Sequence, residues 1–372
     1  MLSTPAMLIL TAVLISVLIM VHELGHFLAA KRAGLWVEEF GIGIPPRLFG
    51  KKIGETIYSI NLLPFGGFVR LHGETSEIKI TKPKRAFLNQ SKKTRAIIVV
   101  AGVFMNFLLA VAAFAIVYSF SGIPKETQNV RIIQIAENSP AMSSGFQSND
   151  IVREIEDTSI TSNDEFIQSL VGSENKEITF YVEREGEDET LEIRSTPRSD
   201  PPEGEGSLGV VISTTETYFP PIGERLLKGV YYGFKEAIFW TTVVVGGFAQ
   251  ILMGLFRGEA PQGIAGPVGI IALTAQAATF GTLTLINFAG ILSVNLMILN
   301  ILPFPALDGG RLVFILIESF IGRKVLPRVE NIIHAVGMAL LLLLLLAITY
   351  KDIKQLIEAG GISGFVDTVL KQ

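Results

Sequence analysis

The residues of this chain best suited to chemistry stand together in His22-Glu23-Leu24-Gly25-His26. Two histidines four apart lie on one face of a helix, one turn above the other, so both imidazoles can reach a single metal ion. Glu23, beside the first of them, can address a water on that ion. This is the HExxH pattern of metal-dependent hydrolases. The plain alternative is a pair of satisfied helix histidines. Against it stand two facts: the chain has only four histidines, and between residues 6 and 30 His22, Glu23 and His26 are the only ionisable side chains. Ionisable groups inside an apolar span are costly and are kept for function.

A catalytic zinc takes three protein ligands and leaves its fourth position to water, so the helix supplies too few. The chain has no cysteine, which excludes disulfides and thiolate sites and leaves nitrogen and oxygen donors. His72 falls in a loop and His334 near the start of a late apolar run, and both are poor third ligands. Asp308 is better placed. It lies in Asn300-Ile301-Leu302-Pro303-Phe304-Pro305-Ala306-Leu307-Asp308-Gly309-Gly310, where two prolines break an apolar helix and leave backbone free beside a carboxylate. The alternative role, capping a helix that begins near Leu312, explains neither proline.

The elements that must position these residues are membrane helices. With 49% hydrophobic residues, 18% charged residues and a mean hydropathy of +0.47, the 372-residue chain reads as a membrane protein with a modest soluble insert. A net charge of −4 gives no reason to expect nucleic acid as a partner. The first apolar run lacks a basic leader and, at roughly 37 Å as a helix against a hydrocarbon core of about 30 Å, reads as a retained span, not a signal peptide. A second span is expected at 96–120. Lys31-Arg32 and Lys92-Lys93-Thr94-Arg95 mark cytoplasmic ends, which puts the N-terminus and the region after Phe120 outside. The HELGH stretch then lies in the cytoplasmic half of its span.

Two further spans are expected at 283–302 and 330–347, joined by a cytoplasmic turn carrying Arg323-Lys324 and Arg328. Residues 237–256 are apolar enough to cross, but Gly246-Gly247 interrupts them and a crossing would invert everything downstream. Residues 216–282 are therefore read as an interfacial or partly inserted helix pair. Four spans leave Lys351 and Lys354 on the less favoured side.

Between the first two spans, residues 57–71 read as two β segments around Pro64-Phe65-Gly66-Gly67. Backbone without helix survives at membrane depth only where protein buries it or it lines a wet cavity. A membrane-associated β-hairpin beside HELGH is expected, with a cytoplasmic surface hairpin as the alternative. From 122 to 215 the sequence becomes charged and alternating, with β segments at 130–135, 150–155, 178–182 and 190–193. Glu185-Gly186-Glu187-Asp188 turns the last pair, and 163–171 fits a short helix. Residues 200–206 read as a flexible turn, internal to this domain if 208–212 returns as its last strand. The piece Ser139-Pro140-Ala141, Gly145-Phe146, Asn149-Asp150-Ile151-Val152 and the helix after it resembles a PDZ domain, a fold that binds extended peptides along a sheet edge. It departs from the family at Asn149 and Asp157-Thr158, where glycines are usual.

HELGH in the first span, Asn300 to Gly310 at the end of the third, and a PDZ-like insert together resemble the site-2 protease family of intramembrane zinc metalloproteases, in its bacterial RseP/RasP-type branch. Ala101-Gly102 with Asn106-Phe107, Pro64-Phe65-Gly66-Gly67 and Gly266-Pro267-Val268-Gly269 extend the likeness over nearly the whole chain. One departure is the single PDZ-like domain, since many relatives carry two in tandem.

The resemblance implies a polytopic α-helical membrane protein of about four spans in four regions: 1–121 with HELGH and the hairpin, 122–215 as an extracytoplasmic PDZ-like α+β domain, 216–282, and 283–372. It implies one catalytic Zn2+ on His22, His26 and Asp308, with Glu23 as general base. Asn300, Pro303, Pro305, Gly66, Gly67 and, with equal weight as a polar tie between spans, Asn106 would line the substrate cleft. The substrates implied are single-span membrane proteins such as anti-sigma factors, or signal-peptide remnants, cut inside the bacterial cytoplasmic (inner) membrane after their external part is trimmed. The active site would face the cytoplasm. Whether the outer domain filters by size or binds a new C-terminus stays open. A metal-binding transporter would need more polar residues along its spans than this sequence has. A silent PDZ scaffold would not need Glu23.

Overall fold

In the computed structural model the described residues are 4–74, 80–187, 189–202, 204–258, 265–323, 326–361 and 364–365. Asp188, Glu203 and Lys324, on which parts of the expected turns fall, lie outside them. The chain divides into two units, one of residues 1–120 with 222–372 and one of residues 121–221.

The first unit opens with α1 (Thr4–Arg32), which carries HELGH. Its end is set by chain chemistry. Gly34 takes a left-handed φ of +78°, so the N–H of Leu35 bonds back to the carbonyl of Ala30 at 3.0 Å and that of Gly34 to Lys31 at 3.1 Å. Lys31 and Arg32 in the last turn suit the negative end of the helix dipole. Ala30 and Leu35 are fully buried in one cluster, which fixes the direction of the exit.

The exit leads into β1 (Val37–Ile53) and β2 (Thr56–Leu71), an antiparallel pair. The chain reverses at Gly54-Glu55 and again within 57–71, between residues 60 and 67, where the sequence suggested a break. Glu39 to Ile42 of β1 lie between the two arms of β2, pairing with Ile57 to Ile60 in ascending order on one side and with Arg70 to Gly67 in descending order on the other. Gly54, with φ +62°, fits the first reversal and Gly66, with φ +71°, the second, where the Gly66-Gly67 pair also packs closely on α1. A Cβ on Gly67 would lie 2.3 Å from the sulfur of Met20. The sheet is tied to the end of α1 through Glu55, which pairs with Lys31 at 3.3 Å and with both guanidinium nitrogens of Arg85 at 2.5 and 2.6 Å. Hydrogen bonding to Arg85, with Lys31 adding to it, holds the Glu55 carboxyl down at about 2.

The remaining helices of this unit are α2 (Lys92–Ser121), then, beyond the second unit, α5 (Ile222–Phe256), α6 (Pro267–Thr279), α7 (Thr282–Ile301), α8 (Asp308–Ile321) and α9 (Pro327–Glu358). Helices α1, α2, α5, α7 and α9 are long and apolar enough to cross a membrane. The expected helix pair at 216–282 is a continuous α5 followed by a separate, 13-residue α6. Gly246 and Gly247 do not break α5, because each costs only about 1 kcal/mol against Ala in a helix and the flanking residues keep their apolar helical run. Contacts fix the sense of the helices. His22 and His26 of α1 meet Asn106 and Ile98 of α2. Gly290 and Ser293 of α7 meet Phe114 and Asn106. Gly229 and Gly233 of α5 meet Ser119 and Ala115. In each pair the numbering ascends against α2, so α1, α5 and α7 all run opposite to it.

The second unit, residues 121–221, has both helices and strands. It contains β3 (Ile123–Ile135), α3 (Pro140–Ser143), β4 (Ile151–Ile155), β5 (Thr158–Ser159), α4 (Asn163–Leu170), β6 (Ile178–Glu183), β7 (Leu191–Ser195) and β8 (Val210–Tyr218). The sheet order is β7-β6-β4-β3-β8, with β5 beside β4. The last segment does return, which makes 200–206 internal. Ser162 and Glu165 start α4 with a reciprocal capping box. Asn149, where glycine is usual in PDZ domains, adopts φ +78°, a conformation asparagine tolerates better than most residues. Val130, Ile132, Val152, Phe166, Phe180 and Val182 form the core of the unit.

Candidate metal centre

Helical spacing puts His22 and His26 one turn apart on the face of α1 that meets α2. Both are buried. Their Nε2 atoms are 3.0 Å from each other. The third corner arrives from 286 residues away: Asp308 Oδ2 is 2.9 Å from His22 Nε2 and 3.1 Å from His26 Nε2. Three lone-pair donors on so small a triangle repel unless a cation or protons lie among them. Ligands of a tetrahedral zinc, with bonds of about 2.0–2.1 Å, stand roughly 3.3 Å apart, so a slight opening of this triangle would seat the ion. Two imidazole nitrogens and a carboxylate oxygen are also a donor set zinc accepts.

The histidines can pack this closely because α2 has no side chain where they lie. A Cβ on Gly102 would come within 2.4 Å of His26 Nε2 and 2.9 Å of His22 Cε1. Gly25 of α1 serves the same approach, since its Cβ would be 2.2 Å from the carbonyl oxygen of Ala101. The outer nitrogen of His26, Nδ1, donates to the carbonyl of Ile98 at 2.8 Å and thereby leaves Nε2 with its lone pair free.

Glu23 turns to the hairpin. Its Oε2 accepts from the backbone N–H of Val69 at 3.0 Å, and two turns earlier Ser16 Oγ accepts from Gly66 N at 3.1 Å. Seven residues of helix and three of strand both span about 10 Å, so this stretch of β2 lies along α1 in step with it. The carboxylate is thus held by the hairpin, and the hairpin sits beside HELGH as expected.

Asp308 depends on a broken chain. Helix α7 ends at Ile301 ahead of Pro303, and α8 begins at Asp308 itself, its first helical residue. Gly309 and Gly310 let α8 start against the turn, for their Cβ atoms would lie 2.0 Å from the carbonyl oxygen of Leu302 and 2.5 Å from that of Phe304. Ala306 has φ +78°, and its N–H is received by His334 Nδ1 at 2.8 Å. Pro305 packs on the backbone of α9 at Gly337. Arg311, one turn beyond Asp308, pairs with Glu74, which also accepts from Leu71 N at 3.2 Å and so joins α8 to the end of β2.

Among the residues expected in a substrate cleft, Asn300, Pro303 and Pro305 fall together on the segment leading to Asp308, and Gly66 and Gly67 lie against Ile19 and Met20 of α1. Asn106 does not open to a cleft. It is fully buried, with its amide 3.5 Å from His22 Nδ1, because it lies two turns along α2 from Ile98 and therefore under the same pair of imidazoles. Sequence reasoning missed Val69, Ile98, Arg311 and His334 as site-building residues, and it singled out Gly102 only as part of the family likeness and not for the gap it leaves beside the imidazoles.

Residues 10–344 match peptidase family M50. A putative zinc metalloprotease of Clostridium perfringens is 35% identical over 91% of this chain and 96% of its own length. The zinc metalloprotease RasP of Oceanobacillus iheyensis is 29% identical over 91% of this chain and 97% of its own. The regulator of sigma-W protease RasP of Bacillus subtilis is 28% identical over 92% and 97%. Among solved structures, the PDZ domain of an SdrC-like protein from Listeria monocytogenes aligns with 23% of this chain and 87% of that one, at 15% identity and a TM-score of 0.20. The chain belongs to peptidase family M50, the site-2 protease family. The expectation of a zinc metalloendopeptidase is met by that membership and by the names of these relatives.

Proposed function

We propose that this protein cuts peptide bonds within transmembrane segments, using one zinc ion held by His22 Nε2, His26 Nε2 and Asp308 Oδ2. The observation that carries the reading is the meeting of these three donors inside a bundle of apolar helices, at 2.9–3.1 Å from one another. Zinc bound there would polarise the scissile carbonyl and lower the pKa of a water toward about 7. The residues of the chain do the rest. Glu23, held at Oε2 by Val69, takes the proton from the attacking water and delivers it to the leaving amine as the C–N bond breaks. The products are a carboxylate and an amine, with no covalent enzyme intermediate.

A substrate helix must unwind before its carbonyls are accessible, and Asn300 with the prolines at 303 and 305 supplies polar and open backbone beside Asp308 for the unwound strand. The N–H groups of β2 at Gly66 and Val69 are bonded to α1. Addition of a substrate strand therefore belongs on a different stretch of the hairpin. The exposed Ile42, Ile44, Leu48, Phe49 and Leu62 support a hairpin that rests in the bilayer. Substrates are read as single-span proteins of the anti-sigma type or signal-peptide remnants, by analogy with the relative named for its regulation of sigma-W. The place of action is read as the bacterial inner membrane, with the metal centre toward the cytoplasm. Lys31-Arg32 and Lys92-Lys93-Thr94-Arg95 support this orientation, and the common direction of α5 and α7 agrees with an even number of crossings in residues 222–281.

In the outer unit, a cavity of about 300 Å3 lies between α4 and β8, floored by Phe166, Leu170, Leu208 and Ile212. β8 is an edge strand. This favours capture of an extended segment of a trimmed substrate over simple exclusion by size.

The test is cleavage of a single-span reporter, with and without its external domain, by purified protein and by Glu23→Gln, alongside zinc analysis of both. Cleavage by the wild type alone, with about one zinc in each protein, is expected. Zinc bound without cleavage by either would return the transporter and scaffold readings.

A further inference from the structure

Helix α2 presents Ile98, Gly102 and Asn106 to the two imidazoles, each four residues from the next and therefore stacked on one face. Gly102 provides the gap. Ile98 provides an acceptor, its carbonyl oxygen 2.8 Å from His26 Nδ1. The third position is polar, fully buried and incompletely satisfied: Asn106 Nδ2 lies 3.5 Å from His22 Nδ1, while Asn106 Oδ1 is buried with no hydrogen-bond partner.

His22 Nε2 points at Asp308 and His26, so it can serve as a ligand only with its lone pair free. The ring proton then sits on Nδ1. An amide NH2 facing that N–H sets donor against donor while an acceptor stays orphaned on the same side chain. A half-turn of the amide, whose two ends are nearly the same size, exchanges them. It places Oδ1 opposite Nδ1–H and satisfies both groups at once. The backbone carbonyl of Asn106 is meanwhile fixed by Ser293 Oγ of α7 at 2.8 Å, so the side chain turns on an anchored base.

We propose that Asn106 is a positioning residue: its side-chain oxygen accepts the Nδ1–H of His22, sets that ring's tautomer, and aims Nε2 at the metal. It does for His22 what the carbonyl of Ile98 does for His26. The inference rests on the metal centre proposed above. Outer partners of this kind hold a ligating imidazole in one tautomer and orientation, and their loss weakens metal binding about 10–100-fold.

The experiment is zinc affinity, by chelator competition on the purified full-length protein, for wild type, Asn106→Leu and Asn106→Asp. It is paired with 15N spectra of labelled histidines. Asn106→Leu keeps the shape and removes the acceptor; it is expected to bind zinc about 10–100-fold more weakly. Asn106→Asp keeps an acceptor at the same place and is expected to bind at least as tightly as wild type. A residue that merely glued helices together would give the opposite order, because the leucine would pack and a buried carboxylate would not. Equal affinity of wild type and Asn106→Leu, or a loss in Asn106→Asp as large as in Asn106→Leu, overturns the proposal. Should a variant not fold, the wild-type spectrum decides: a proton on His22 Nδ1 supports the assignment, and a bare Nδ1 sinks it. Failure of the wild type to bind zinc at all would instead refute the metal centre itself.

Discussion

The two sides of the proposed metal centre are built by different means. His22 and His26 come from one uninterrupted helix, where spacing alone aligns them and α2 needs only to leave room and offer acceptors. Asp308 comes from a place where the chain has stopped being regular. Its carboxylate is aimed by a proline-broken turn, two glycines that let α8 start against that turn, a left-handed Ala306 received by His334, and an ion pair from Arg311 to Glu74. The first side is local and tolerant of distant change. The second is assembled from three separate parts of the chain, residues 302–311, His334 and Glu74, and should be sensitive to each.

The sharpest way to break this contrast is Asp308→Asn, which removes a charged ligand from the assembled side. Zinc content is expected to fall by more than the yield of folded protein falls. Unchanged zinc would remove Asp308 from the ligand set. On the local side, Gly102→Ala places a methyl 2.4 Å from His26 Nε2 and should separate α1 from α2. Overpacking of this kind costs about 1–3 kcal/mol, read as a lower midpoint of unfolding together with weaker zinc binding. A normal midpoint would show that the imidazoles can move aside.

His334→Leu tests the assembled side more gently. It removes the acceptor of the Ala306 N–H, worth about 1 kcal/mol, and is expected to weaken zinc binding while the helix ligands stay in register. Equal zinc affinity would mean that the turn is rigid without it. The smallest effect belongs to Glu55, far from the ligands, at the hairpin turn. Its carboxyl is depressed from 4.5 to about 2, so its contribution to stability is present above pH 4.5 and is lost as the pH falls toward 2. Arg85→Ala should flatten that part of the pH–stability curve. A curve unchanged by the variant would show that the pair contributes nothing measurable.

Much of this was legible in order along the chain. Three ionisable residues inside an apolar span announced HELGH, and two prolines before a carboxylate announced Asp308, because both break a rule that the surrounding sequence obeys. The alternating segments of the unit 121–221 were equally readable, as a sheet buried on one face must alternate. The reversal at Gly66-Gly67 was readable from the proline and glycines that interrupt two β segments, whereas the one at Gly54-Glu55 was not singled out. Gly246-Gly247 misled, because a glycine weakens a helix by an amount the remaining turns can absorb.

By itself, then, the sequence determined the chemistry offered and the broad class of each region, since these follow from residue type, period and charge along one dimension. Only the tertiary structure decided which backbone N–H holds Glu23, that Asn106 lies under His22 instead of in a cleft, that His334 supports a turn instead of binding metal, and that α5 runs parallel to α7. Each of these is a contact between segments far apart in the chain. Such contacts are set by how helices and strands fit against one another, which no local pattern records.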